Sequence, residues 1–192
     1  PTTTKAAPTA PAAPAAPTDF SSTVVDQHNY HRLNHSAGAV SWDSGLASYA
    51  QTVASSCHYA HDLTPGGGGY GQNIAAYGAS DSSSLDSSTA AAAAITNMWY
   101  NDEINNFPYG QDSPTWPDSM TPPGPDWSHA SQLIWVGTQK VGCAAVLCPS
   151  GTIFGMDTWF TVCNYEPAGN VYPEFASNVK PPLGQKGVSV NI

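Results

Sequence analysis

Residues 141–170 read VGCAAVLCPSGTIFGMDTWFTVCNYEPAGN, and the fold turns on this stretch. Val141 to Leu147 and Ile153 to Tyr165 are two β-type runs on either side of a Pro149-Ser150-Gly151 turn. They predict an antiparallel hairpin. Three of the chain's four cysteines, Cys143, Cys148 and Cys163, lie here, and the fourth is Cys57. An even number with no CxxC pair predicts two disulfides rather than zinc or thiol redox chemistry, and hence an oxidising compartment.

Upstream of the hairpin the pattern is helical. A Ser/Thr cap ahead of Val24, Val25, His28 and Tyr30 predicts a helix from about Ser22 to Leu33. Asp43 is a natural N-cap for a second helix, in which Leu46, Ala47, Ala50, Val53 and Ala54 recur at three- and four-residue steps. Trp42 is expected to fold back on its first turn as a staple. A third helix is predicted over about Thr89 to Asn105, with Ala92, Ile95 and Trp99 on one stripe. Glu103 falls one turn beyond Trp99 on that stripe, so its carboxylate is aimed inward and needs a partner. A short helical turn is expected around Ser128 to Trp135.

The remaining segments are irregular. Residues 1–18, PTTTKAAPTAPAAPAAPT, hold no large apolar side chain and predict a disordered tail. Residues 105–126 are a proline-rich loop carrying Phe107, Tyr109 and Trp116, a length that marks a binding loop or a mobile one. The expected organisation is a tail over 1–18, one domain over 19–176, and an irregular extension over 177–192. One N-glycosylation sequon, Asn34-His35-Ser36, lies at the end of the first helix.

Among 192 residues, Asp and Glu outnumber Lys and Arg by 14 to 5, for a net charge of -9. Such a surface repels phosphate backbones and anionic lipid, which argues against nucleic acid as a partner. No apolar run is long enough to span a bilayer, and the chain begins at Pro1, so a secreted, extracellular protein with its signal peptide removed is expected. No heptad pattern is present, so a monomer is expected. HExxH, GxSxG, the P-loop and a GxGxxG opening a helix are all absent.

Several ordered motifs together resemble the CAP superfamily of cysteine-rich secretory, antigen-five and pathogenesis-related-one proteins. His28-Asn29 through Arg32 resembles the family's HNxxR, and Trp42-Asp43 through Ala50-Gln51 its WDxxLAxxAQ helix. Tyr70-Gly71-Gln72-Asn73-Ile74-Ala75 is similar to YGENLA, Trp99 through Glu103-Ile104 to WxxEI, and Cys163 to Asn170 to CNYxPxGN. The resemblance implies an α+β fold, a three-layer α-β-α sandwich with a small, mainly antiparallel sheet. It also implies a cleft lined by His61, Gln72, Glu103 and His129. The family's first glutamate is a glutamine here, which removes a charge and a proton acceptor. The family's aromatic after the cleft histidine is Ala130.

Two imidazoles facing a cleft can hold zinc or another divalent metal, so His61, His129 and Glu103 form the candidate metal set, with Glu103 orienting a bound water or a histidine. A zinc hydrolase with Glu103 as general base is the alternative. Gln72 counts against it, since no second carboxylate shares proton transfer. In sterol-binding relatives an aromatic loop precedes the cleft histidine. Phe107, Tyr109 and Trp116 are therefore the candidate ligand loop for a sterol or fatty acid, although prolines and extra residues interrupt the spacing. The plainer reading is that these rings pin the loop to the body.

His28, His31 and His35 lie three and four residues apart, but His28-Asn29 belongs to a structural motif, and His35 falls past the helix end. A structural role is expected for all three. If the hairpin turns near Pro149 to Thr152, Cys143 faces Cys163 and Cys148 reaches Cys57, the pairing that relatives also suggest. Cys57 with Cys143 and Cys148 with Cys163 stays open. The function expected is that of a secreted binding protein, for an apolar ligand and a divalent metal, acting in host interaction or defence through a host protein. A structural or signalling domain recognised by a receptor is the remaining alternative.

Overall fold

The structure, a computed structural model, describes residues 19–78, 80, 84–117 and 125–192. The expected tail lies outside the described residues.

The predicted hairpin forms. Strands β3 (Lys140–Cys148) and β4 (Thr158–Glu166) pair antiparallel with Cys143 opposite Cys163. The second strand starts at Thr158 rather than at the expected Ile153, because residues 149–157 close on themselves. Ser150 N–H donates to Asp157 Oδ1, Gly151 N–H to Phe154 O, and Thr152 Oγ1 to Pro149 O. Two further strands complete the sheet in the order β1-β3-β4-β2. β2 (Gly71–Gly78) runs antiparallel to β4, and the two-residue β1 (Ser41–Trp42) runs parallel to β3.

Side chains alternate across a strand, so the sheet has two apolar faces. Ala144, Cys148, Phe160, Val162 and Ile74 pack with Ala50, Val53 and Ala54 of α2 (Ser44–Ser55). On the opposite face Val141, Cys143, Cys163, Tyr165 and Ala75 meet α1 (Phe20–Asn34), α3 (Ser87–Ala93) and α4 (Ser128–Leu133). This is the three-layer α-β-α sandwich with a small, mainly antiparallel sheet. Gly142 lets α2 approach: a Cβ there would fall on the Ala47 nitrogen and the Asp43 carbonyl oxygen.

Local signals explain the element ends. Asp43 caps α2 by accepting from Gly45 and Leu46 N–H. Asp19 caps α1 by accepting from Ser22 N–H, so this helix begins earlier than the expected Ser22. Trp42 is paired in β1, and its ring meets Phe20 edge-on at 6.2 Å. The third helix leaves α geometry after Ala93 and continues as a π-helix over Ala94–Asn101, a form frequent near functional sites. A four-residue helix, α5 (Phe175–Asn178), precedes an irregular C-terminal segment.

Cys57–Cys148 ties the end of α2 to β3, and Cys143–Cys163 cross-links the two central strands. The first spans 91 residues and stabilises the fold by about 4.6 kcal/mol in the chain-entropy account. Arg32 is fully buried and joins α1 to the segment after α4 by donating to the carbonyls of Gly38, Leu133, Trp135 and Thr138.

Candidate functional site

The structure sorts the four cleft residues into two bonded pairs. The first stands on β2 at the sheet edge. Asn164, opposite Gln72 in β4, donates from Nδ2 to Leu46 O, which leaves its Oδ1 as an acceptor. Gln72 Nε2 donates to that Oδ1 at 3.0 Å and to Asp62 O at 3.1 Å. Its Oε1 therefore accepts from Asp62 N–H, and it lies 3.0 Å from His61 Nδ1. An acceptor facing Nδ1 makes that nitrogen the protonated one and leaves Nε2 of the exposed His61 with a free lone pair.

The second pair joins the end of the π-helix to α4. Glu103 follows the π-helix rather than lying within it, and it is only 8% exposed. Its inward aim is met by three donors. Oε2 accepts from His129 N–H and Ala130 N–H, both at 3.0 Å, and Oε1 lies 2.6 Å from His129 Nδ1. One carboxylate thus satisfies the first turn of α4 and fixes the ring of its second residue. Trp99 stacks on that ring with centroids 6.1 Å apart, and its indole N–H donates to Ile74 O. Asn73, next to Gln72, donates to His129 O and so links the two pairs.

Asp126 completes the second pair. Its Oδ1 accepts from Trp127 and Ser128 N–H, while Oδ2 stands 3.8 Å from His129 Nδ1. Burial disfavours the imidazolium of His129, but the Glu103 hydrogen bond and the charges of Glu103 and Asp126 outweigh it and raise the pKa. Burial likewise works against the Asp126 carboxylate, yet its N–H donors and His129 hold its pKa below the usual range. Tyr59, edge-on to Phe160, is pushed up by burial and then by the charges of Glu103 and Asp126.

Metal-ligating atoms of Glu103, Asp126 and His129 lie within 4.8 Å of one another. Of the candidate set His61, Glu103 and His129, the last two fall in this cluster, and Asp126 takes the third place. Asp126 and Tyr59 escaped sequence reasoning. The one signal for Asp126 was its place two residues ahead of Ser128, where an aspartate turns the chain into a helix.

The loop aromatics divide. Phe107 is 4% exposed and packs with Trp127 and Phe175. Tyr109 leans on Phe107, and its hydroxyl donates to Ile104 O. Both rings pin the loop and, with Tyr30, Tyr100 and Ile104, line a cavity of about 380 Å³. Trp116 alone is largely exposed, against Trp127 and Tyr172.

The histidines of α1 are structural. His28 lies between Val24 O and the Tyr165 hydroxyl, His31 stacks on Tyr100 and meets Thr96 Oγ1, and His35 faces Lys180 O and the Tyr100 hydroxyl. All three are buried.

A family model described as "Cysteine-rich secretory protein family" (CAP) matches residues 25–165. The "Probable pathogenesis-related protein" of Arthroderma benhamiae is 41% identical over 90% of this chain and 52% of its own length. "Protein PRY2" of Saccharomyces cerevisiae is 35% identical over 85% of this chain and 42% of its own. The chain thus spans about half the length of these curated relatives. The crystal structure of NaASP2 with Zn2+ superposes with a TM-score of 0.62 at 20% identity, covering 85% of this chain and 86% of that one, a likeness of fold. With residues 25–165 under the family model, the chain belongs to the cysteine-rich secretory protein family, as a pathogenesis-related-one-like member with fungal kin.

Proposed function

We propose that this chain is a secreted binding protein whose cleft holds a divalent cation, zinc foremost, through Nε2 of His61 and Nε2 of His129. The observation that carries the reading is the matched arrangement of the two histidines. Each has Nδ1 against a side-chain oxygen, Gln72 Oε1 or Glu103 Oε1, the outer-shell arrangement that turns Nε2 of a histidine toward a metal. Asp126 Oδ2, 3.8 Å from Nδ1 of His129, adds negative charge on the Glu103 side of that ring. Imidazole nitrogens are good ligands for zinc. A bound cation would supply charge, and this chain's residues would orient it. Two of the four cleft residues being outer-shell partners, binding rather than hydrolysis is the function proposed. The fold relative solved with Zn2+ supports the same reading.

Calorimetric titration of the protein with zinc at pH 7.5 tests it. One saturable site, weakened at least about tenfold by either His61→Ala or His129→Ala, is expected. A titration without heat above dilution, or one unchanged in both variants, overturns it.

An apolar ligand is the second reading, and the cavity of about 380 Å³ behind Phe107 and Tyr109 favours it. That volume lies in the range of small-molecule sites. Saturable binding of a sterol or fatty acid, weakened by Tyr109→Ala, would support it, and its absence would remove it. Action in host interaction or defence would follow from either kind of binding.

A further inference from the structure

The C-terminal segment has no regular secondary structure after Asn178, yet it is fastened along the groove between α1 and the π-helix. From α1, Asn34 O accepts from Leu183 N–H at 2.7 Å, Asn34 Oδ1 accepts from Gln185 N–H at 3.0 Å, and the Tyr30 hydroxyl donates to Lys186 O at 2.9 Å. From the π-helix, Asn101 Nδ2 donates to Val188 O at 2.8 Å. Asn97 takes Val190 at both ends, donating from Nδ2 to its carbonyl at 2.8 Å and accepting its N–H on Oδ1 at 3.0 Å.

Two features of this seating point the same way. Every bond just named is made to the backbone of the segment and none to its side chains, and Leu183 stays 66% exposed. The carbonyls of Lys186, Val188 and Val190 are taken at every second residue, the repeat of an extended strand. An amide side chain that donates to the C=O and accepts from the N–H of one residue makes the pair of bonds a neighbouring strand would make, as in recognition of peptides by strand addition. Asn97 and Asn101, four apart on one helix, set that repeat. The fit is also incomplete: among the described residues, Gln185 Oε1 is the buried side-chain polar atom left without a donor.

We propose that the groove between α1 and the π-helix is a peptide-binding groove that takes an extended chain by its backbone, with residues 183–190 as its resident occupant. The asparagines read peptide groups, so the groove tolerates varied side chains. The resident segment is tethered at Lys180, whose carbonyl lies against His35 Nδ1. A tether gives it an effective concentration of about the millimolar order, so it holds the groove against free peptides.

The test uses the full chain carrying Leu183→Pro, Gln185→Pro and Val190→Pro, which removes the segment's N–H donors and leaves every groove residue intact. The probe is a fluorescent synthetic peptide of residues 181–192, followed by anisotropy. Binding to the proline variant at least about tenfold tighter than to the unaltered chain is expected, lost on adding Asn97→Ala and Asn101→Ala. A peptide with Ala at positions 183, 186, 188 and 190 should bind within about threefold of the native one. No binding to a proline variant whose circular dichroism matches the parent overturns the proposal, as does binding confined to the native side chains.

Hydrogen exchange on the unaltered chain tests it without any variant. The Val190 amide should exchange by local opening, far faster than the Val162 amide of β4. Equal protection of the two would make the segment a fixed part of the fold and refute the exchangeable occupant. Neither experiment depends on the metal reading of the cleft.

Discussion

Glu103 grips His129 with both carboxylate oxygens, Oε1 at 2.6 Å from the ring Nδ1 and Oε2 accepting the residue's own N–H at 3.0 Å. Ring and backbone are thus held by one side chain, each through its own carboxylate oxygen.

The Glu103→Gln substitution separates the two jobs. The amide oxygen can still accept from the backbone, but the charge that favours the imidazolium is gone. His129 should then titrate lower, read from its ring proton shifts. Its raised pKa stabilises the fold fully below the unfolded value of about 6.5 and loses that contribution as pH rises through the folded pKa. The variant should lack this alkaline loss. Glu103→Ala also strands two N–H donors and should cost about 2–3 kcal/mol in urea denaturation.

Acid should act through α1 with the opposite sign. Burial lowers His28 to about 4 and His31 to about 3, the charges of His28 and His35 adding to the effect on His31, and burial lowers His35 too. The unfolded chain takes up these protons below about pH 6.5 while the fold does not, so stability falls from there toward pH 4. His28 and His31 should each cost about 2–3 kcal/mol between pH 7.5 and 4.5, partly offset by His129. A flat stability profile over that range would contradict the buried network.

Gln72→Glu, which restores the family residue, should weaken this fold. A carboxylate cannot donate to Asp62 O and Asn164 Oδ1 as the amide does. A loss of about 1–2 kcal/mol is expected. An increase in melting temperature would count against the amide network.

The sequon at Asn34 should carry no glycan in folded protein. Asn34 is 9% exposed, its Nδ2 donates to the Tyr100 hydroxyl, and its Oδ1 accepts from Gln185. Intact mass before and after glycosidase treatment of protein from a glycosylating host should be the same at this site.

The parts of this fold that could be read from the chain are those with a strong period or a cap. Asp43 with its apolar repeat yields α2, the β-branched runs around Cys143 and Cys163 yield the central hairpin, and the stripe through Trp99 aims Glu103 inward. β2 was not anticipated, because Gly71, Gln72 and Asn73 are polar or small and its pairing with β4 is decided by tertiary contact. The π-helix has no local signature, and β1 is two residues long. At the site, resemblance supplied the four cleft positions, whereas Asp126 enters it only when its carboxylate turns back on the start of α4. The C-terminal segment has an irregular backbone. What composition could not convey is that Asn34, Asn97 and Asn101 would converge on it.

The ring nitrogens of His61 and His129 test the central claim most directly, by long-range nitrogen–proton correlation spectra recorded at alkaline pH, with and without zinc. Both rings should carry the proton on Nδ1 in the absence of metal, and one equivalent of zinc should shift both Nε2 resonances while leaving Nδ1 protonated. A proton on Nε2 in either free ring, or zinc that moves neither Nε2, would contradict the account.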